Sequence, residues 1–241
     1  RDTMHLIQNL STAANPQIVK LYSSGDKEAS SLLMLNTARY SFLMMLLIAV
    51  PFIVTCEEII GIWLVEIPDY IIIFVQLILI QSLFFTLDTC FYIGLYACGR
   101  VRENAIISPS LYFVQFIITY FLFSLGYSPI ALSVVGVFTT FTAGVVVKPI
   151  LLRNYAGYNF REVMWVVLRC ILTAAIAFPI PIYLLSYLKD SFLDSIIKLS
   201  VGFIFAVLAV LTIGLKKGEI KKMQNVISKR LIHRRRNISN Y

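Results

Sequence analysis

Residues 70–97, YIIIFVQLILIQSLFFTLDTCFYIGLYA, form an apolar run with one charged side chain, Asp88. A helix rises 1.5 Å per residue, so about 20 apolar residues cross the hydrocarbon core of a bilayer. This run is long enough to span. Five further runs share its character, at 38–56, 105–126, 129–152, 163–187 and 194–215. Before them, residues 4–22 make a more polar, helix-compatible segment that ends at Ser23-Ser24-Gly25-Asp26, a turn. The 241 residues are 59% hydrophobic and 14% charged, with a mean hydropathy of +0.80. A soluble globular chain carries about 25% charged residues. The composition therefore excludes an ordinary soluble domain. It predicts an all-α integral membrane protein of six transmembrane helices plus a truncated N-terminal helix.

The net charge of +8 comes from 21 Lys and Arg against 13 Asp and Glu. In a soluble chain such an excess would suggest nucleic acid; beside a bilayer the distribution decides, and no nucleic-acid partner is expected. One set of connections and span ends carries Lys20, Lys27, Arg39, Arg100, Arg102, Lys148, Arg153, Arg161 and Arg169, followed by a strongly basic tail. The opposite set carries only Lys189 and Lys198, together with Glu57, Glu58, Glu66, Asp69, Asp190 and Asp194. Basic loops stay in the cytoplasm. The alternation fits six spans and puts the C-terminus of a multi-pass membrane protein inside. The tail, with Ile220, Met223, Ile227 and Leu231 at helical spacing, reads as an amphipathic helix on the anionic inner leaflet.

Several stretches then resemble a known family. They are Asn15-Pro16-Gln17-Ile18-Val19-Lys20-Leu21-Tyr22, Ser24-Gly25-Asp26, a span holding Pro51, Glu57-Glu58-Ile59-Ile60-Gly61-Ile62-Trp63-Leu64 and Pro68-Asp69-Tyr70. The similarity continues through Gly94-Leu95-Tyr96-Ala97-Cys98-Gly99-Arg100 and Gly126-Tyr127-Ser128-Pro129-Ile130-Ala131-Leu132. Together they resemble the second half of a polysaccharide transporter, the O-antigen-type flippases of the multidrug/oligosaccharidyl-lipid/polysaccharide exporter superfamily. The resemblance implies a C-terminal lobe and two extra helices of a fourteen-helix, two-lobed transporter working by alternating access. On that register the segment 1–22 is the eighth helix and 23–37 a cytoplasmic loop or interfacial helix. Residues 38–152 supply four transmembrane helices that complete the lobe, 153–215 the two extra helices and 216–241 the cytoplasmic tail. The chain begins at Arg1, and the first lobe and seventh helix are expected in a preceding part of the same protein. The implied location is a bacterial inner membrane, and the implied partners are a polyprenyl-pyrophosphate-linked oligosaccharide and the phospholipid bilayer.

Candidate residues follow from polarity inside apolar surroundings. Asp88 is the one acidic residue deep in a span, where its insertion costs about 2.5 to 3.5 kcal/mol and needs a partner. Gln81, Phe84, Phe85 and Tyr92 fall near its helical face. Asp88 with Gln81 is either a proton or sodium site or a hydrogen-bonded junction between helices. In the resembling family a sodium site takes acidic ligands from the helices corresponding to 105–126 and 129–152, and neither contains Asp or Glu. Gln8, Ser11, Thr12 and Asn15 share one face and suit a wet wall that passes sugar hydroxyls. Arg39 and Arg169, near cytoplasmic span ends, either contact a lipid pyrophosphate or snorkel to the interface. Gly136, Thr140 and Gly144 form a stripe of small residues for close packing against one neighbour. Pro51 and Pro179-Ile180-Pro181 are expected to disturb their helices.

Cys56, Cys90, Cys98 and Cys170 lack C-x-x-C spacing and read as small buried hydrophobes. There is no G-x-S-x-G, P-loop or H-E-x-x-H, and His5 and His233 lack evident catalytic partners, so neither enzyme nor cofactor is expected. The alternatives are a multidrug exporter of the same superfamily, or a multi-span glycan polymerase or ligase. The short external loops disfavour the latter.

Overall fold

The computed structural model describes residues 14–64, 66–185 and 192–215, and every regular element among them is helical. Helix α1 covers 14–23, α2 Lys27–Val54, α3 Cys56–Trp63, α4 Ile71–Ala97 and α5 Val101–Ser124. Helix α6, Ile130–Ala156, contains two π-helical turns, Thr142–Val147 and Leu152–Ala156. Helix α7 is Phe160–Ala177, α8 Pro179–Leu185 and α9 Phe192–Ala209, prolonged by a π turn over Val210–Gly214. Six helical stretches are long and apolar enough to cross a membrane: Lys27–Val54, Ile71–Ala97, Val101–Ser124, Ile130–Ala156, Phe160–Tyr183 and Asp194–Gly214. They coincide with the six apolar runs. The basic tail and residues Gln8, Ser11 and Thr12 lie outside the described residues.

Helix α2 begins at Lys27, well before the expected start near 38. Asp26 caps it by accepting a hydrogen bond from the backbone N–H of Ala29 at 2.9 Å, and Glu28 complements the positive end of the helix. The serines that make 23–37 look like a loop are interior groups. Ser30 is fully buried, its hydroxyl bonded to the carbonyl of Ile18 and the phenol of Tyr158, both at 2.9 Å. A polar run thus proves to be the first turns of the central helix.

Helix α2 is central because its apolar window is 67% buried, against 6% for α5 at the margin. It packs on α4, α7 and α9 around Met34, Ala38, Phe42, Leu46, Leu87, Phe91 and Val167. Pro51 does not break α2; its carbonyl accepts from the N–H and hydroxyl of Thr55, and Gly202 of α9 packs against its ring. At Pro179 the expected interruption occurs, and α7 gives way to α8. Cys56, Cys90 and Cys170 are buried and Cys98 is half-buried, all as free thiols.

The ends of the bundle sort as the charges do. At one end the phenol of Tyr22 donates to the carbonyl of Ala156 at 3.3 Å, and Arg100 lies over the ring of Tyr155 at 5.5 Å. The α1–α2, α4–α5 and α6–α7 connections therefore meet there. At the other end Glu58 of α3 pairs with Lys198 of α9 at 2.5 Å, and Gln76 of α4 donates to the carbonyl of Ile53. Three cations assigned to the basic end, Arg39, Lys148 and Arg169, instead lie within spans. Arg39 and Lys148 are each 1% exposed.

Candidate functional site

Helices α4 and α6 run parallel, and the small-residue stripe of α6 faces α4 as its spacing predicts. A Cβ at Gly144 would stand 2.9 Å from the carbonyl oxygen of Phe84 and 3.2 Å from the nitrogen of Asp88. Only glycine permits this backbone approach. The same four-residue step from Gly136 and Thr140 through Gly144 ends on Lys148, whose Nζ lies 3.4 Å from Oδ1 of Asp88. Nζ also donates to Oδ1 of Asn104 in the first turn of α5 and sits 5.2 Å from the ring centroid of Tyr92. Three helices and an aromatic face thus enclose one ion pair.

Burial sets the stakes of this junction. The Lys148 side chain is 2% exposed and that of Asp88 16%. Neither charge could persist there alone. The backbone beside the pair is irregular: the N–H of Lys148 bonds the carbonyl of Ala143, closing the π turn Thr142–Val147, and Pro149 follows at once without an N–H to donate. The partner that Asp88 requires is therefore Lys148. Its position inside the run 129–152, rather than in a loop, was the available signal.

Gln81 is not part of this junction. One face of α4 carries both residues, but Gln81 meets Gly136 and approaches Gln115 of α5 instead. A cavity of about 320 Å³ adjoins that point, lined by Gln115, Thr119, Tyr112, Phe116 and Leu132. Asn15 is half-buried on α1 and lines neither this cavity nor the next.

Arg39 and Arg169 are brought together. Both line a cavity of about 380 Å³ between α2 and α7, with Glu28, Leu32, Leu35, Asn36, Glu162, Trp165 and Val166. Since α2 starts at Lys27, Arg39 stands about 18 Å along it at 1.5 Å per residue, near mid-span rather than at a span end. Its guanidinium donates to Asn36 at 3.3 Å and lies over the ring of Tyr40. Full burial within the bundle is incompatible with snorkelling to the interface. Arg169 is half-buried, and its Nη1 is buried without a hydrogen-bond partner among the described residues.

Among the described residues no group of His, Cys, Asp and Glu has metal-holding geometry. No protein-family model matches the chain significantly, and neither does a curated protein or a solved structure.

Proposed function

We propose that this chain is the C-terminal lobe of an inner-membrane transporter that flips a polyprenyl-pyrophosphate-linked oligosaccharide, an O-antigen or capsule repeat unit, toward the external leaflet. One observation carries the transporter reading: the buried Asp88–Lys148 pair between two apolar spans, adjoining a π turn. Intramembrane ion pairs are costly and mark moving parts, and π turns recur at functional sites. The glycan-lipid substrate rests on the resemblance of residues 9–70 to flippases. The facing lobe would close the other side of the pathway.

In this mechanism the pair is a latch between α4 and α6. A π turn holds one residue more than an α turn, so its conversion rotates the following residues by about 100° around the helix axis. Lys148 then leaves Asp88, and the exposed carboxylate takes up a proton or sodium ion that makes separation affordable. Relatching releases the ion on the other side. An organic-cation exporter would need an uncompensated carboxylate in its cavity, and Lys148 already neutralises Asp88.

The test is mass spectrometry of lipid-linked oligosaccharides in cells lacking the intact gene, with an assay of the leaflet that holds them. Complete repeat units should accumulate on the cytoplasmic leaflet. Single repeats gathered outside would indicate a polymerase, and an unchanged lipid pool would return the reading to drug export.

A further inference from the structure

The α2–α7 cavity has features that the latch does not use. Two arginines on facing helices line one space, and Nη1 of Arg169 is buried without a hydrogen-bond partner among the described residues. Arginine's planar fork is suited to phosphate oxygens, and a buried unsatisfied donor costs free energy until a ligand meets it. The remaining walls divide by character. Leu32, Leu35, Trp165 and Val166 are apolar, whereas Asn36 adds an amide beside Arg39. A small hydrated anion would leave the apolar walls unused, while an amphiphile would cover both. Trp165, which also lines the cavity, is 59% exposed and so open to an acyl or prenyl chain.

We propose that this cavity binds the phosphate headgroup of an anionic lipid, with Arg39 and Arg169 holding the phosphate and the apolar walls holding the adjoining chain. The phospholipid form of the inference needs only the cavity and a surrounding bilayer, and its polyprenyl-pyrophosphate form rests on the proposed function. Glu28 and Glu162 do not cancel the site. They occupy the first turns of α2 and α7, where carboxylates complement the helix N-termini. They stand about 16 Å and about 10 Å along their helices from Arg39 and Arg169, so each carboxylate is well separated from the guanidinium on its own helix. Glu162 also accepts a hydrogen bond from Asn159 at 3.2 Å. The two ends of the cavity thus differ in sign, with the cationic end deeper.

The lipid has two sources with the same chemistry: a bilayer phospholipid such as phosphatidylglycerol, or a polyprenyl pyrophosphate. Binding of each to the purified full chain in detergent, followed by native mass spectrometry, separates them, because whichever is retained at the lower concentration names the source. Arg169→Gln is the informative variant, since that side chain is only half-buried and its loss leaves the α2 core intact. It should weaken binding by about tenfold, the value of one charge-assisted hydrogen bond, with Arg169→Lys intermediate. Arg39→Gln should weaken it further, provided the variant unfolds at the parent temperature. Arg100→Gln, at the exposed α4–α5 connection, should bind as the parent does. Unaltered binding by Arg169→Gln, or equal retention of neutral phosphatidylcholine, overturns the proposal. Inorganic pyrophosphate bound as tightly as either lipid also overturns it, because the apolar walls would then contribute nothing.

Discussion

Replacing Asp88 by Asn leaves the buried ammonium of Lys148 beside the Asn104 amide and the Tyr92 ring but without the carboxylate that balances its charge. Removing one member of a buried pair costs about 3 to 5 kcal/mol, so Asp88→Asn should lower the unfolding temperature of the purified protein markedly. The double variant Asp88→Asn/Lys148→Met should recover most of that loss, because a neutral pair of similar volume satisfies the same space. Thermal unfolding of the three variants checks both statements. Transport by the stable double variant then discriminates between roles: a latch requires it to be inactive, and undiminished flipping would reduce the pair to a structural junction. Half of this pair was legible in sequence. Asp88 stood out as a lone charge in an apolar run, but Lys148, near the end of its run, passed for a loop cation. The alternation of loops makes α4 and α6 parallel, but nothing in sequence shows that they are neighbours, which is what joins the two charges.

At the scale of the helix, the π turn Thr142–Val147 makes a prediction that side-chain substitutions do not. Deleting Val146, which is 44% exposed, removes the extra residue and restores an α-helical ladder without changing the faces presented downstream. The deletion variant should fold and insert normally yet lose transport, because the rotation that releases Lys148 would no longer be available. Complementation of the deleted strain, with protein level measured beside it, is the check; full complementation removes the π turn from the mechanism. By contrast Gly144→Ala should destabilise directly. Its Cβ would press on the Phe84 carbonyl, which as backbone cannot swing aside, at a cost of about 1 to 3 kcal/mol in unfolding measurements. The packing role of this stripe was readable from its four-residue spacing. The start of α2 was not, because hydropathy weighs Ser30, Ser31 and Thr37 as solvent-seeking, whereas all three are buried and Ser30 is bonded to Ile18 and Tyr158. Local hydrogen bonding across elements decided that boundary, and it moved Arg39 from a span end to mid-span.

For the whole molecule, the contacts at the two ends divide the loops into sets, and charge then orients the sets. Tyr22, Ser30, Arg100, Ala156 and Tyr158 tie three basic connections together, while Glu58 and Lys198 join α3 to α9 at the far end. The alternation of loops was legible because it depends only on charge sign and span count. Which cations belong to loops was not, since a buried Arg or Lys looks the same in sequence as an exposed one. Removing Arg39, Lys148 and Arg169 from the loop count still leaves the bias one-sided, so the expectation that the basic end is cytoplasmic does not depend on them. In a background without the four native cysteines, Asp69→Cys should react with a membrane-impermeant maleimide in intact cells. Arg153→Cys should react only after permeabilisation, since both positions are exposed but lie at opposite ends. The reverse pattern would invert the protein and with it the direction of the proposed flipping, in which an anionic substrate on the cytoplasmic leaflet meets the basic end first. Reaction of both in intact cells would break the alternation itself, and the Glu58–Lys198 and Arg100–Tyr155 contacts could not then mark opposite faces of one membrane.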